Sequence, residues 1–350
     1  MLFGILVQKM QKVNLSHIAF KTKGENIQEK LMVSTTVFFL VFTTLAFVQL
    51  KVKPPMLLAE RFLSGSGWIE ILLVSFYGAL VAYNMHNPAK SAIWRKYTWF
   101  AFTVIFFMQL FLGLLGIEKC LMTGKLHWPV PALILLGPMY RGNITFMTIL
   151  FLSTVILVGP AWCSHLCYFG SIDNLMASSK APKKFSIKTI YQLKYTILFA
   201  FILFTLIFRF FIQDKLTATL LGGSIGVVGI LLMLFVSRKK RFAFHCTAFC
   251  PIATIVMWLK YLNPFRLKIK TQCDACMRCS AVCNYKALNL ENIKQHKPGQ
   301  TCTLCGDCLS SCPHSYIYYS FFGLKPNLSR NLFLILTISL HAIFLALAKV

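Results

Sequence analysis

Seven stretches of this 350-residue chain are apolar enough, and nearly long enough, to cross a lipid bilayer: roughly 31–50, 68–83, 97–117, 143–160, 195–213, 217–236 and 331–348. A bilayer core takes about 20 apolar residues per helix, and a polypeptide inside it must satisfy its own backbone hydrogen bonds, so such stretches fold as helices. Composition agrees. Hydrophobic residues make up 57% and charged residues only 13%, against roughly 25% charged in ordinary soluble domains. The second stretch is short and opens near Glu70. Lys194 and Arg209 stand near the two ends of the fifth, where long side chains can snorkel to the boundary. The opening run MLFGILV has no basic segment before it and no small-residue cleavage site after it, which argues against a signal peptide.

Two further apolar stretches are too short to span. HWPVPALILLGP (127–138) reads as a re-entrant segment or loop against the membrane face, and PIATIVMWLKYL (251–262) as a short helix opened by Pro251. Residues 263–327 change character and become polar, basic and dense in cysteine. The chain therefore divides into a membrane domain (1–262), a small α+β domain (263–327) and a last membrane helix (328–350). The fold class is an α-helical membrane protein of about seven spans, with the small domain inserted before the last of them.

The formal net charge is +26. Beside this hydropathy the excess points to loops against an anionic lipid surface and not to nucleic acid. Orientation rests on Arg238, Lys239, Lys240 and Arg241, a basic run flush with a helix end, which belongs on the cytoplasmic side. Lys180, Lys183, Lys184 and Lys188 fall on that side as well, and so does the small domain.

Twelve of the 13 cysteines form patterned sets. Cys273, Cys276, Cys279 and Cys283 make one C-x2-C-x2-C-x3-C run. Cys302, Cys305, Cys308 and Cys312, followed by Pro313, make another. This is the spacing of bacterial two-cluster ferredoxins, where three close cysteines wrap one [4Fe–4S] cluster and the fourth reaches the other. The expected ligand sets are Cys273, Cys276, Cys279 with Cys312, and Cys302, Cys305, Cys308 with Cys283. Zinc sites and disulfides are the alternatives, but zinc sites are built from pairs of cysteines, or from Cys with His.

The third set is a repeated C-x3-C pair: Cys163 with Cys167 in AWCSHLCY, and Cys246 with Cys250 in FHCTAFCP. Each pair follows a span on the same side. On a helix, positions i and i+4 share a face, so the two pairs together can present four thiolates as a third metal or redox site. Buried thiols and reversible disulfides are the alternatives. Pro251 marks a helix start, where the dipole favours thiolate at Cys250. His165 and His245 are candidate ligands or donors beside the pairs. His341, inside the last span, reads as a helix-to-helix hydrogen bond or a functional group. Gly222, Gly226 and Gly229 mark close helix packing, and Cys120 stands alone. Haem-attachment, Walker A and Rossmann patterns do not occur.

Taken together, the spans, the two C-x3-C pairs and the double ferredoxin run resemble the NapH/NosR/CcoG group of membrane-bound polyferredoxins, over roughly residues 97–320. GIEKCLMTGKLHWPVPALILLGPMYRG is similar to a segment of the NapH type, which the chain resembles most. The group typically shows C-x3-C-P twice; here the second copy has Pro251 and the first has Tyr168. The resemblance implies a multi-pass subunit of a prokaryotic inner membrane that takes part in quinol dehydrogenation. It would pass electrons between the quinone pool and a respiratory reductase, with ferredoxin-type or cytochrome c subunits as partners. The rival implication is a metal-reducing assembly factor of the CcoG type. Residues alone establish only a membrane-anchored electron carrier, without a catalytic residue that can be named.

Overall fold

The computed structural model describes residues 27–120, 128, 130–177, 185–211 and 215–347. The MLFGILV segment, Lys180, Lys183 and Lys184, and His127 and Pro129 of the first short apolar stretch lie outside the described residues. The longer helices are α1 (Ile27–Lys51), α2 (Gly67–Met85), α3 (Pro88–Leu114), α4 (Leu133–Arg141), α5 (Phe146–Val158), α6 (Tyr168–Ala177), α7 (Ile187–Phe211), α8 (Lys215–Leu231), α9 (Pro251–Leu259) and α10 (Pro326–Leu347). Seven helical segments are long and apolar enough to cross a membrane: α1, α2, α3, α5 continued to Leu166, α7, Thr217–Lys240, and α10. Their number and order are those expected from the sequence.

The third span differs. The sequence places its start near residue 97. The helix instead begins at Pro88, a residue suited to the first helical position, and the Asn87 side chain accepts the Ala89 N–H at 2.9 Å. Arg95 is thus carried inside the span, 1% exposed. The fifth span likewise starts at Ile187, so Lys194 lies two turns inside it, 3% exposed, and does not snorkel. Arg209, at the other end, is exposed and donates to the Met139 carbonyl.

Helices α1, α2 and α10 form one packed unit around Val37, Val41, Leu45, Val81 and Ala342. Arg330 closes it by donating to the Met85 and His86 carbonyls at the end of α2, at 2.9 and 2.6 Å. Those carbonyls have no partner within their own helix. The glycine face of the sixth span takes close neighbours as expected: a Cβ at Gly226 would sit 2.6 Å from Val130, and one at Gly229 would sit 2.9 Å from His245.

Strands β1 (Phe265–Ile269) and β2 (Ile317–Phe321) pair antiparallel, with Phe265 opposite Phe321 and Ile269 opposite Ile317. They bracket both cysteine runs. The sheet is not a freestanding module, because Tyr319 stacks on Phe333 of α10 at 4.4 Å and Phe265 meets the same ring edge-on. One continuous core runs from Phe151 and Val155 through Trp162 to Phe265 and Tyr319. Asn263, fully buried, ties the two parts: its Nδ2 donates to the Ile156 and Leu157 carbonyls, and its Oδ1 accepts the Phe265 N–H. Gly159, with φ +60°, leaves the space that Asn263 fills.

The strongest polar tie is the Arg95 guanidinium on Asp307, with Nε to Oδ1 at 3.0 Å and Nη2 to Oδ2 at 2.8 Å. Its Nη1 donates to the Ser164 carbonyl at 2.9 Å. Burial acts to raise the Asp307 pKa, but Arg95, and Lys96 at 3.6 Å, outweigh it and hold the carboxyl below its ordinary value. A lowered carboxyl contributes stability above the unfolded pKa, about 3.9, and loses it as pH falls through the folded value. Arg95→Met leaves a buried carboxylate unpaired and should cost about 3–5 kcal/mol, whereas the double variant with Asp307→Leu should recover most of it. Thermal unfolding of the full chain in detergent checks both. An unchanged midpoint for the single variant would contradict the pairing.

Candidate iron–sulfur sites and the thiol quartet

The two four-cysteine runs fold as copies of one loop. Ala275 and Met277 in the first, and Leu304 and Gly306 in the second, occupy equivalent positions and all have positive φ, from +53° to +78°. Left-handed residues alternating with ordinary ones turn successive N–H groups inward, a backbone nest that favours anions and iron–sulfur groups. The copies match further along. Ala287 N–H points at the Cys283 sulfur at 3.4 Å, and Tyr316 N–H at the Cys312 sulfur at 3.3 Å. Lys286 and Ser315, one residue earlier in each copy, also have positive φ.

The fourth cysteines cross over. Cys273, Cys276, Cys279 and Cys312 line a single small cavity, with Ile269, Ile293 and Ile317 as its apolar wall. Cys308 has Cys305, Cys302 and Cys283 as charge neighbours, and also Cys279 of the other set. Burial pushes the Cys279 and Cys302 thiols up to about 11 and Cys305 up to about 12. Such thiols are inert until a bound cation deprotonates them. Among the described residues, no three Cys, His, Asp or Glu side chains converge tightly enough for one metal ion.

The C-x3-C pairs also fold alike, but not as the α-helical faces expected. Trp162–Leu166 and His245–Phe249 are single π-helical turns, closed by Cys167 N–H to the Trp162 carbonyl at 3.1 Å and Cys250 N–H to the His245 carbonyl at 2.8 Å. The extra residue per turn ends each segment at its second cysteine, which is extended and immediately precedes α6 or α9. The first N–H groups of those helices, at Phe169 and Gly170 and at Ile252 and Ala253, then face the sulfurs of Cys167 and Cys250. This is the helix-start environment read for Cys250, and the other copy has it too, although Tyr168 replaces proline. π-turns of this kind recur at functional sites.

The four thiols come together. Cys163 has Cys167 and Cys250 as charge neighbours, and Cys246 has all three others. All four are at least nine-tenths buried. Asp173 of α6, fully buried and invisible to motif reading, fixes the Cys246 segment: its Oδ2 accepts the Cys246 N–H at 2.8 Å and its Oδ1 accepts from Ser237 at 2.5 Å. Burial lifts its pKa to about 6 against these donors. Trp99 of α3 donates to the Cys167 carbonyl at 2.9 Å. His165 is held by Ser164 and the Ala161 carbonyl. His341 bridges Tyr77 of α2 and the His165 carbonyl, each at 2.9 Å. Cys120 is buried beside none of these sets.

The quartet adjoins the second loop. The Ser164 hydroxyl donates to the Thr303 carbonyl at 2.8 Å, and Ala243 N–H donates to the Asn284 carbonyl at 2.9 Å. Cys246 and Tyr285 pack with Cys283 and Cys305. Buried polar atoms without a partner gather along this seam: Trp162 Nε1, His245 Nδ1 and Thr247 Oγ1 near the quartet, and Tyr285 OH and Thr303 Oγ1 near the second loop. Nearly all buried polar atoms of a folded chain are paired, so this concentration fits bound groups rich in acceptor sulfur.

Residues 142–188 match the family described as "4Fe-4S binding domain". The match covers Cys163 and Cys167, and not the double run at 273–312. No curated protein and no solved structure matches the chain. A 4Fe–4S binding segment joined to seven apolar helices fits a membrane iron–sulfur protein.

Proposed function

We propose that the chain is the membrane electron-transfer subunit of a quinol dehydrogenase, passing electrons between the quinone pool and a respiratory reductase. In this reading Cys273, Cys276, Cys279 and Cys312 hold one [4Fe–4S] cluster, Cys302, Cys305, Cys308 and Cys283 a second, and Cys163, Cys167, Cys246 and Cys250 a third centre. When bound, these groups supply one-electron transfer without proton movement.

The observation that carries the proposal is the unbroken contact from quartet to loop to loop. Ser164 on Thr303 holds the quartet against the Cys302–Cys308 loop, Ala243 on Asn284 holds it beside Cys283, and Cys308 and Cys279 join the two loops. Arg95 fixes the arrangement and the shared core excludes water from it. At the far end Cys276 is exposed, which gives an outlet to a partner subunit. The basic residues around it, Lys270 and Arg278, suit an acidic docking face.

For the quinol end, α4, α5, α7 and α9 enclose a groove of about 360 Å³, within the range of small-molecule sites. It is mostly apolar, has Asn143, Thr148 and Arg209 as its polar residues, and reaches Pro251 and Ile252 directly after Cys250. The groove thus joins the lipid phase to the quartet. The basic run Arg238–Arg241 ends the sixth span just before the Cys246 segment, which supports a cytoplasmic position for the cysteine loops.

Anaerobically purified full chain, mixed in stopped flow with menaquinol and ubiquinol analogues, should show bleaching of the iron–sulfur absorbance by at least one of them. No reduction by either quinol, and no oxidation by either quinone, would exclude the role. In the same assay a single Cys→Ser change at Cys163, Cys167, Cys246 or Cys250 should cost nearly as much rate as all four together, because residues acting as one unit are non-additive. Four small additive losses would return the quartet to buried thiols.

A further inference from the structure

Lys194 lies two turns inside α7, flanked by Tyr191, Gln192 and Tyr195 and followed by the apolar run from Ile197 to Phe208. It is 3% exposed, so its ammonium reaches no water boundary. Among the described residues its hydrogen-bond partner is the Met257 sulfur at 3.8 Å, a weak acceptor. The described ion pairs both belong to Asp307, and neither includes Lys194. The charge neighbours of Lys194 are Cys163, Cys250 and Cys246, and then Lys260. A buried ammonium without a counter-charge costs several kcal/mol, and an aliphatic side chain would carry no such cost.

The other buried charge at the quartet sits elsewhere. Asp173 is hydrogen-bonded to the Cys246 N–H and Ser237, and it has Cys167 and Cys246 as charge neighbours. The quartet thus has a carboxyl at Cys246 and Cys167 and an ammonium toward Cys163 and Cys250. A neutral thiol gives Lys194 nothing to balance. Four thiolates around a metal group do.

We infer that Lys194 is a positioning charge that raises the redox potential of the centre held by Cys163, Cys167, Cys246 and Cys250. The inference rests on the proposed reading of the quartet as a cluster site. One-electron reduction there adds one negative charge, breaks no bond and takes up no proton. A fixed cation in a low-dielectric surrounding stabilises that added charge. Lys194 would thereby bring the quartet within reach of a quinol donor, while the two ferredoxin-type loops, which do not have Lys194 among their charge neighbours, keep their own potentials.

The test is an EPR-monitored redox titration of the anaerobically purified full chain. Lys194→Met should move the midpoint of the quartet signal to lower potential and leave the other two signals in place, while Lys194→Arg should stay close to wild type. Met257→Leu, which removes the sulfur contact and keeps the charge, should leave all three midpoints unmoved. A quartet signal unmoved in Lys194→Met, or shifted as far by Met257→Leu, would overturn the inference. If Lys194→Met fails to assemble, Lys194→Gln takes its place with the same expected direction. Wild type with only two signals would remove the quartet's cluster, and with it both this inference and that part of the proposed function.

Discussion

The Arg95–Asp307 fork is the interaction on which the rest of this structure depends. One guanidinium, inside a membrane-crossing helix, binds both oxygens of a carboxylate placed between Cys305 and Cys308 and also the carbonyl next to Cys163. Three segments far apart in sequence are thereby set at fixed distances. A buried ion pair adds little net stability over well-packed apolar residues. Its contribution here is registry, because Arg presents its donors as a rigid planar fork that accepts one geometry. The cysteine loops and the quartet meet in the one arrangement that satisfies all three acceptors.

Around that clamp the molecule repeats itself twice. The two ferredoxin-type loops share their positive-φ positions and their N–H contacts to sulfur. The two C-x3-C segments share a π-turn, a terminal cysteine and a following helix. Asymmetry enters through the surroundings. Cys276 is exposed and Cys305 is half-buried, whereas Cys308 and the four quartet cysteines are buried. In the proposed function that gradient is the route, with electrons entering at the quartet from the lipid phase and leaving at Cys276 to a partner in water.

Much of this was legible in the sequence. The spans declared themselves through hydropathy, and the cysteine runs through a spacing that few other chemistries need. What stayed hidden were the buried charges. Nothing in the sequence singles out Arg95, and Lys194 reads as a span-end residue, because a charge inside an apolar helix is costly unless something distant pairs with it. Asp307, which pairs with Arg95, and the thiols near Lys194 are separated from them by long stretches of chain. Asp173 gave no signal, since a lone acid after a span belongs to no motif. The C-x3-C pairs were expected on α-helical faces, and the π-turns went unread because a one-residue insertion in the hydrogen-bond ladder leaves the apolar pattern unchanged.

The proposed function requires iron on all twelve patterned cysteines, in three sets of four. Iron and acid-labile sulfide analysis of the anaerobically purified chain tests it most directly, alongside a variant with Cys163, Cys167, Cys246 and Cys250 all changed to Ser. Wild-type chain should carry about twelve irons and the variant about eight, with sulfide in equal amount. Equal iron in the two proteins, or zinc in place of iron, would contradict it.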